Sequence, residues 1–165
     1  MEYMVYLGHR HRRSFASLAE ANTWRRYKRH QSGVLSWFIR VKDDEGALRE
    51  VSAEEARDTS MVEPRQVLTA MDTTALGVAI DDHGLDGLAR YIGVLVCEIS
   101  VTDGTRALDA AGRAKRLEEF ADEAEQVIPL LAMSGSWDAL QVVAMLGAML
   151  SRTPRVGEPA VWARP

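Results

Sequence analysis

The sequence predicts an α+β fold that is mostly helical: a small N-terminal β-α-β-β unit followed by an antiparallel bundle of three to four helices. Three observations carry this. Leu35, Trp37, Ile39 and Val41 alternate with Ser36, Phe38, Arg40 and Lys42, the period of a half-buried strand. Two Ser-x-x-Glu capping boxes, Ser17–Glu20 and Ser52–Glu55, mark helix starts on either side of that strand. Beyond Asp72 the apolar residues recur at helical spacing.

The elements follow in order. Tyr3 to Gly8 is short and rich in aromatic and β-branched residues, so it reads as a strand. His9 to Arg13 reads as a basic connector. A helix should run from about Leu18 to His30, with Leu18, Ala21, Trp24 and Tyr27 on its inner face. Arg25, Arg26, Lys28 and Arg29 crowd its last turns, where cations suit the helix dipole, and Gly33 is the stop. After the alternating strand, Asp43 to Gly46 is a turn, and Ala47 to Val51 returns as the second arm of a hairpin. The second capping box opens a short helix to about Asp58.

Residues 59–71 contain Pro64 and read as a connector, with a short strand around Gln66 to Leu68. Asp72 is expected to cap a helix from Thr73 to Ile80, which Asp81 to Gly84 breaks. Leu85, Leu88, Ile92 and Val96 then share a helix face, and Thr102 to Thr105 forms a loop. A long helix from about Leu108 meets Pro129, which must kink or end it. Gly135 closes that segment, and Ser136 caps a last helix, Trp137 to Ser151.

Residues 1–58 thus form a basic region, 59–71 a connector, 72–151 an acidic helical region and 152–165 an extended Pro-containing tail that carries Trp162. One merged core is the alternative to two domains. Trp37, Ile39, Leu88, Ile92, Phe120 and Leu140 are the expected core.

A chain of 165 residues can bury a core without disulfides or a structural metal. Its one cysteine, Cys97, sits in an apolar helix and reads as an inert core residue; the lack of a second fits a reducing compartment. The N-terminus has an acid, Glu2, where a signal peptide wants basic residues. The longest apolar run, Val142 to Leu150, falls well short of the roughly 20 residues of a membrane span. A cytoplasmic protein with no membrane partner is therefore expected. Seventeen Arg against three Lys, with Asn22 the single asparagine, suggest a GC-rich bacterial or phage source.

Charge is polarised. Met1 to Lys42 holds nine Arg or Lys against Glu2 and Glu20, a net of +7. The remainder holds eleven basic and twenty-two acidic residues, a net of −11. Such asymmetry points to an oriented partner, or to two parts of one chain that attract each other.

The basic part offers the candidate nucleic-acid or anion site: His9, His11, Arg12, Arg13, Arg25, Arg26, Lys28, Arg29, Phe38 and Arg40. Cations interleaved with aromatics are what single-stranded nucleic acid needs, and Phe38 stands on the polar side of its strand. The plainer reading makes the aromatics core and the cations a solvated helix face. His9 and His11 lack a third partner for a metal, and Asp81, Asp82, His83 and Asp86 lack the spacing of a calcium loop. No metal and no cofactor are assigned. The last helix has almost no polar side after Gln141, so Val142, Met145 and Met149, together with Trp162, form a candidate interaction surface.

No G-x-S-x-G, H-E-x-x-H, C-x-x-C or phosphate-loop glycine spacing is present. The leading expectation is therefore a non-catalytic interaction or regulatory protein, an accessory or immunity-type protein, acting on a protein partner or as a homodimer. Nucleic-acid binding by the basic region is the alternative. An enzyme with an unfamiliar site around His9, His11, Asp82 and His83 comes third.

Overall fold

The computed structural model describes residues 1–100 and 108–151. The fold is α+β and mainly helical, with a four-stranded antiparallel sheet preceding the helices. The chain divides into two compact units, Met1–Thr69 and Ala70–Pro165, and the apolar core clusters divide the same way. The expected Thr102–Thr105 loop and the 152–165 tail with Trp162 lie outside the described residues.

The first unit contains β1 (Glu2–Leu7), β2 (Arg10–Phe15), α1 (Leu18–Ser32), β3 (Trp37–Lys42), β4 (Leu48–Glu50) and α2 (Ala53–Asp58). Its order is β-β-α-β-β-α, which corrects the expected β-α-β-β. The basic stretch taken as a connector is strand β2, hairpinned onto β1 through Gly8, whose φ of 58° suits glycine. Its arginines hid it, yet they fit its position: in the order β2-β1-β3-β4 it is an edge, and edge strands tolerate charge. The β1–β2 register jumps from Val5↔Arg13 to Tyr6↔His11, so Arg12 is the extra residue of a β-bulge.

Helices α1 and α2 cover one face of the sheet. Val5, Phe15, Trp37, Ile39 and Val41 pack against Ala21 and Trp24 of α1 and Ala56 of α2. Trp24 meets Trp37 edge-on at 5.6 Å and Phe15 at 5.8 Å. Both capping boxes form: Ser17 accepts from the Glu20 N–H at 3.2 Å, and Ser52 from the Glu55 N–H at 3.1 Å. Gly33 ends α1 at φ 67°, donating its N–H to the Arg29 carbonyl. In the β3–β4 turn, Asp43 Oδ1 accepts from the N–H groups of Glu45 and Ala47. The short strand expected near Gln66 is instead a 3-10 turn, Pro64–Gln66, because the Pro64 carbonyl accepts from Val67 and Leu68.

The second unit contains α3 (Ala70–Thr73), α4 (Ala75–Ser100), α5 (Ala110–Ser134) and α6 (Trp137–Leu150). Asp72 lies buried within α3 and not ahead of a helix that begins at Thr73, and the Thr74 hydroxyl accepts from the Gly77 N–H. The break expected at Asp81–Gly84 falls on Gly84, whose φ of 59° and ψ of −138° divide α4 into two helical runs. The bend brings Gly87 against the Ala79 carbonyl, where a Cβ has no room. Pro129 does not end α5; it is exposed, so the Glu125 carbonyl it cannot serve lies on the solvent side. Ser136 makes no side-chain cap, and its hydroxyl accepts from that of Ser134.

Of the expected core, Trp37, Ile39, Leu88 and Phe120 are buried, while Ile92 and Leu140 are half-buried at the edge of the second cluster. Cys97, expected inside, is exposed. A polar node ties α5 to α4. Glu123 Oε2 accepts from the Leu76 N–H at 2.9 Å and from the Tyr91 hydroxyl at 3.0 Å. Arg116 donates to Glu98 at 2.8 Å and lies over the Tyr91 ring. Burial pushes the Tyr91 hydroxyl pKa up.

Candidate interaction surfaces

Alternation along the strands decides which residues face away from α1. On β3, Trp37, Ile39 and Val41 point inward, so Phe38 and Arg40 point outward. On β1, Val5 points inward and Met4 and Tyr6 outward. Phe38, Tyr6 and His11 stand opposite one another on three neighbouring strands. Tyr6 and Phe38 stack with centroids 5.5 Å apart and planes within 10°. The His11 ring lies 5.4 Å from Tyr6 on the other side, and its Nε2 is 3.1 Å from the Ser14 hydroxyl. Arg40 sets its guanidinium 5.2 Å from the Tyr6 centroid and 5.3 Å from that of Phe38. Tyr6, Phe38 and Arg40 are half-buried and His11 is exposed.

The remaining basic residues expected to share this site go elsewhere. His9 is exposed in the β1–β2 turn, and Arg12 is the half-buried bulge residue. Arg13 points to the inner face, its guanidinium over the Phe15 and Trp24 rings. Lys28 is not on a binding surface at all: it is 0% exposed, with its ammonium 5.8 Å from the Trp24 centroid. Arg25 donates to Asn22 Oδ1 at 2.9 Å; burial, then Arg26 and Arg29, hold its pKa below the ordinary arginine value. Arg26 and Arg29 are exposed on α1, which lies on the other side of the sheet from Phe38. The ten residues thus divide between opposite sides, and the outer face keeps His11, Phe38 and Arg40. Tyr6 completes the row and was missed, because Tyr3 to Leu7 is apolar at nearly every position and hides its alternation.

In the helical unit, Val143 of α6 is fully buried, while Met145 is 58% and Met149 60% exposed. Val142, expected on the same surface, is half-buried against the unit's own core and does not belong to it. Trp137 is also exposed, at the start of α6. Beside the two methionines, a groove of about 540 Å³ runs between α5 and α6. Small residues line it, Ala114 and Ala121 from α5 and Ala144, Gly147 and Ala148 from α6. Arg113 and Glu125 also border it.

Asp81, Asp82, His83 and Asp86 do not converge: among the described residues, no group of three or more His, Cys, Asp or Glu could hold a metal ion. No described helix is long and apolar enough to cross a membrane. The chain matches no protein-family model, no curated protein and no solved structure.

Proposed function

We propose that this is a non-catalytic binding protein that acts by protein–protein association, with the helical unit as its docking half. The observation that supports this is the methionine ridge of α6 beside the groove it shares with α5. Exposed methionines are adaptable contact residues, and the Ala and Gly positions among the apolar lining of the groove, which also includes Leu117, Ile128 and Leu150, let a neighbour's side chains approach closely.

A second copy of the chain is the partner that fits best. An interface about a two-fold axis needs one patch to carry both knob and hole. Met145 and Met149 are knobs, and Ala144, Gly147 and Ala148 line the hole, all on one helix. Arg113 and Glu125 are twelve positions apart on α5, about 18 Å along the helix. An antiparallel copy would set each Arg113 opposite the other's Glu125.

Sedimentation equilibrium tests this. The wild type should run at twice 18.3 kDa. Met145→Lys with Met149→Lys should give a monomer with unchanged helix content, since both side chains are exposed. A wild type that remains monomeric at high concentration would exclude the homodimer.

A further inference from the structure

We propose that the outer face of the four-stranded sheet binds single-stranded nucleic acid, with Tyr6 and Phe38 as a base-stacking platform, His11 extending it and Arg40 meeting the phosphate backbone. This goes beyond the association proposed for the helical unit and rests on different residues.

An aromatic ring turned away from the core forgoes the stabilisation that burial supplies. A strand needs only a polar or β-branched residue on its solvent side. Here two neighbouring strands turn rings outward at the same register, Tyr6↔Phe38, while α1 and α2 cover the other face. The two rings lie within 10° of parallel. His11 continues the row onto β2 at 5.4 Å from Tyr6, its ring tilted 56° to the Tyr6 plane.

The near-parallel Tyr6 and Phe38 rings present π-faces that any base can stack upon. Bases in a duplex are already stacked and paired, so such a row selects unpaired strands. A nucleotide also carries an anionic phosphate a few ångströms from its base. Arg40 sets its guanidinium over both rings, 5.2 and 5.3 Å from their centres, where a base and its phosphate would meet it together. An arginine there strengthens stacking and pairs with phosphate oxygens in a fork.

Charge gives the strand a direction. At the β4 side, Glu50 stands opposite Arg40, and at the far end of β1, Glu2 stands opposite Lys42. At the β2 side, residues 8–15 hold no acid, and exposed His9 and His11 stand there, while Arg10 pairs with Leu7 on the inner side. A polyanion therefore runs from Arg40 across Phe38 and Tyr6 toward the β1–β2 turn.

Fluorescence anisotropy with labelled 12-nucleotide DNA and RNA strands, and a duplex of the same length, tests this on the full chain at low salt. Single strands should bind and the duplex should bind more weakly; the DNA and RNA arms tell which sugar the face prefers. Phe38→Ala and Tyr6→Ala should each weaken binding by about five-fold or more. Arg40→Gln should reduce the salt slope by about one. Circular dichroism of each variant separates loss of a contact from loss of fold, and His11→Ala, at an exposed edge position, supplies a fold-neutral variant. The Met145→Lys, Met149→Lys double variant should keep the same affinity per chain, so failure of the helical docking surface leaves this result intact. No binding of either single strand would overturn the proposal. So would a duplex bound as tightly, or binding lost on Arg26→Glu with Arg29→Glu but not on Phe38→Ala.

Discussion

Glu55 shows how much one side chain can do at an exposed position. Its carboxylate accepts two hydrogen bonds from Arg49, at 2.9 and 3.0 Å, and one from the Ser52 N–H at 3.0 Å. The Arg49 pair first, and the Ser52 N–H second, lower its pKa from 4.5 to about 2. A carboxyl whose folded pKa is depressed contributes stability above its unfolded pKa and loses it as pH falls through the folded value. Between about pH 4.5 and 2 the wild type should therefore lose stability that Glu55→Gln has already lost. The Glu55 carboxyl signal, followed by NMR, should have its midpoint near 2; a midpoint near 4.5 would show that the Arg49 pair does not form in solution. Ser52–Glu55 was legible as a capping box, because that motif is local. The Arg49 contribution was not, since β4 and α2 meet only through the fold.

Local signals fix elements and fail at their joints. The two capping boxes, the Gly33 stop and the alternation of β3 all formed where the sequence indicates. Strand β2 failed because a charged edge strand has no apolar period to read. Helix α5 outlasted Pro129 because packing of Val127, Leu131 and the adjoining turn outweighs one missing hydrogen bond. At Gly84 the reverse holds: the backbone at φ 59° and ψ −138° is open to glycine and closed to other residues. Nothing lies within 4 Å of a Cβ built there, so a substitution tests conformation and not space. Gly84→Ala should cost about 1–3 kcal/mol by urea denaturation. A loss below a few tenths would show that α4 bends elsewhere.

At the scale of the whole molecule, two cores stand in one chain. Trp24 and Trp37 centre the first, and Phe120 the second. Phe120 is 0% exposed and lies 6.0 Å from the Tyr91 ring. Phe120→Ala should cost the helical unit about 3–5 kcal/mol, read as a lower urea midpoint of its helical signal. A shift below 1 kcal/mol would mean that the site collapses around the smaller residue. The net of +7 in residues 1–42 looked like one basic surface. In the fold that charge is spread over the outer sheet face, a helix on the other side and the buried Lys28.

The sequence by itself determined the class of fold, the capped starts of α1 and α2, the glycine stops at Gly33 and Gly135, the strong strand β3 and most of the expected core. Each of these follows from periodicity or from residues within one turn of each other, where the chain's own geometry sets the outcome. Tertiary structure decided which side of the sheet α1 covers, and with it that Phe38 and Arg40 face outward while Arg13 faces in. It also brought Tyr6, from another strand, beside Phe38 and His11, and set the α6 methionines beside a groove that α5 completes. Those pairings join positions far apart in the chain. Their distances depend on strand register and helix packing, quantities that no local pattern of residues encodes.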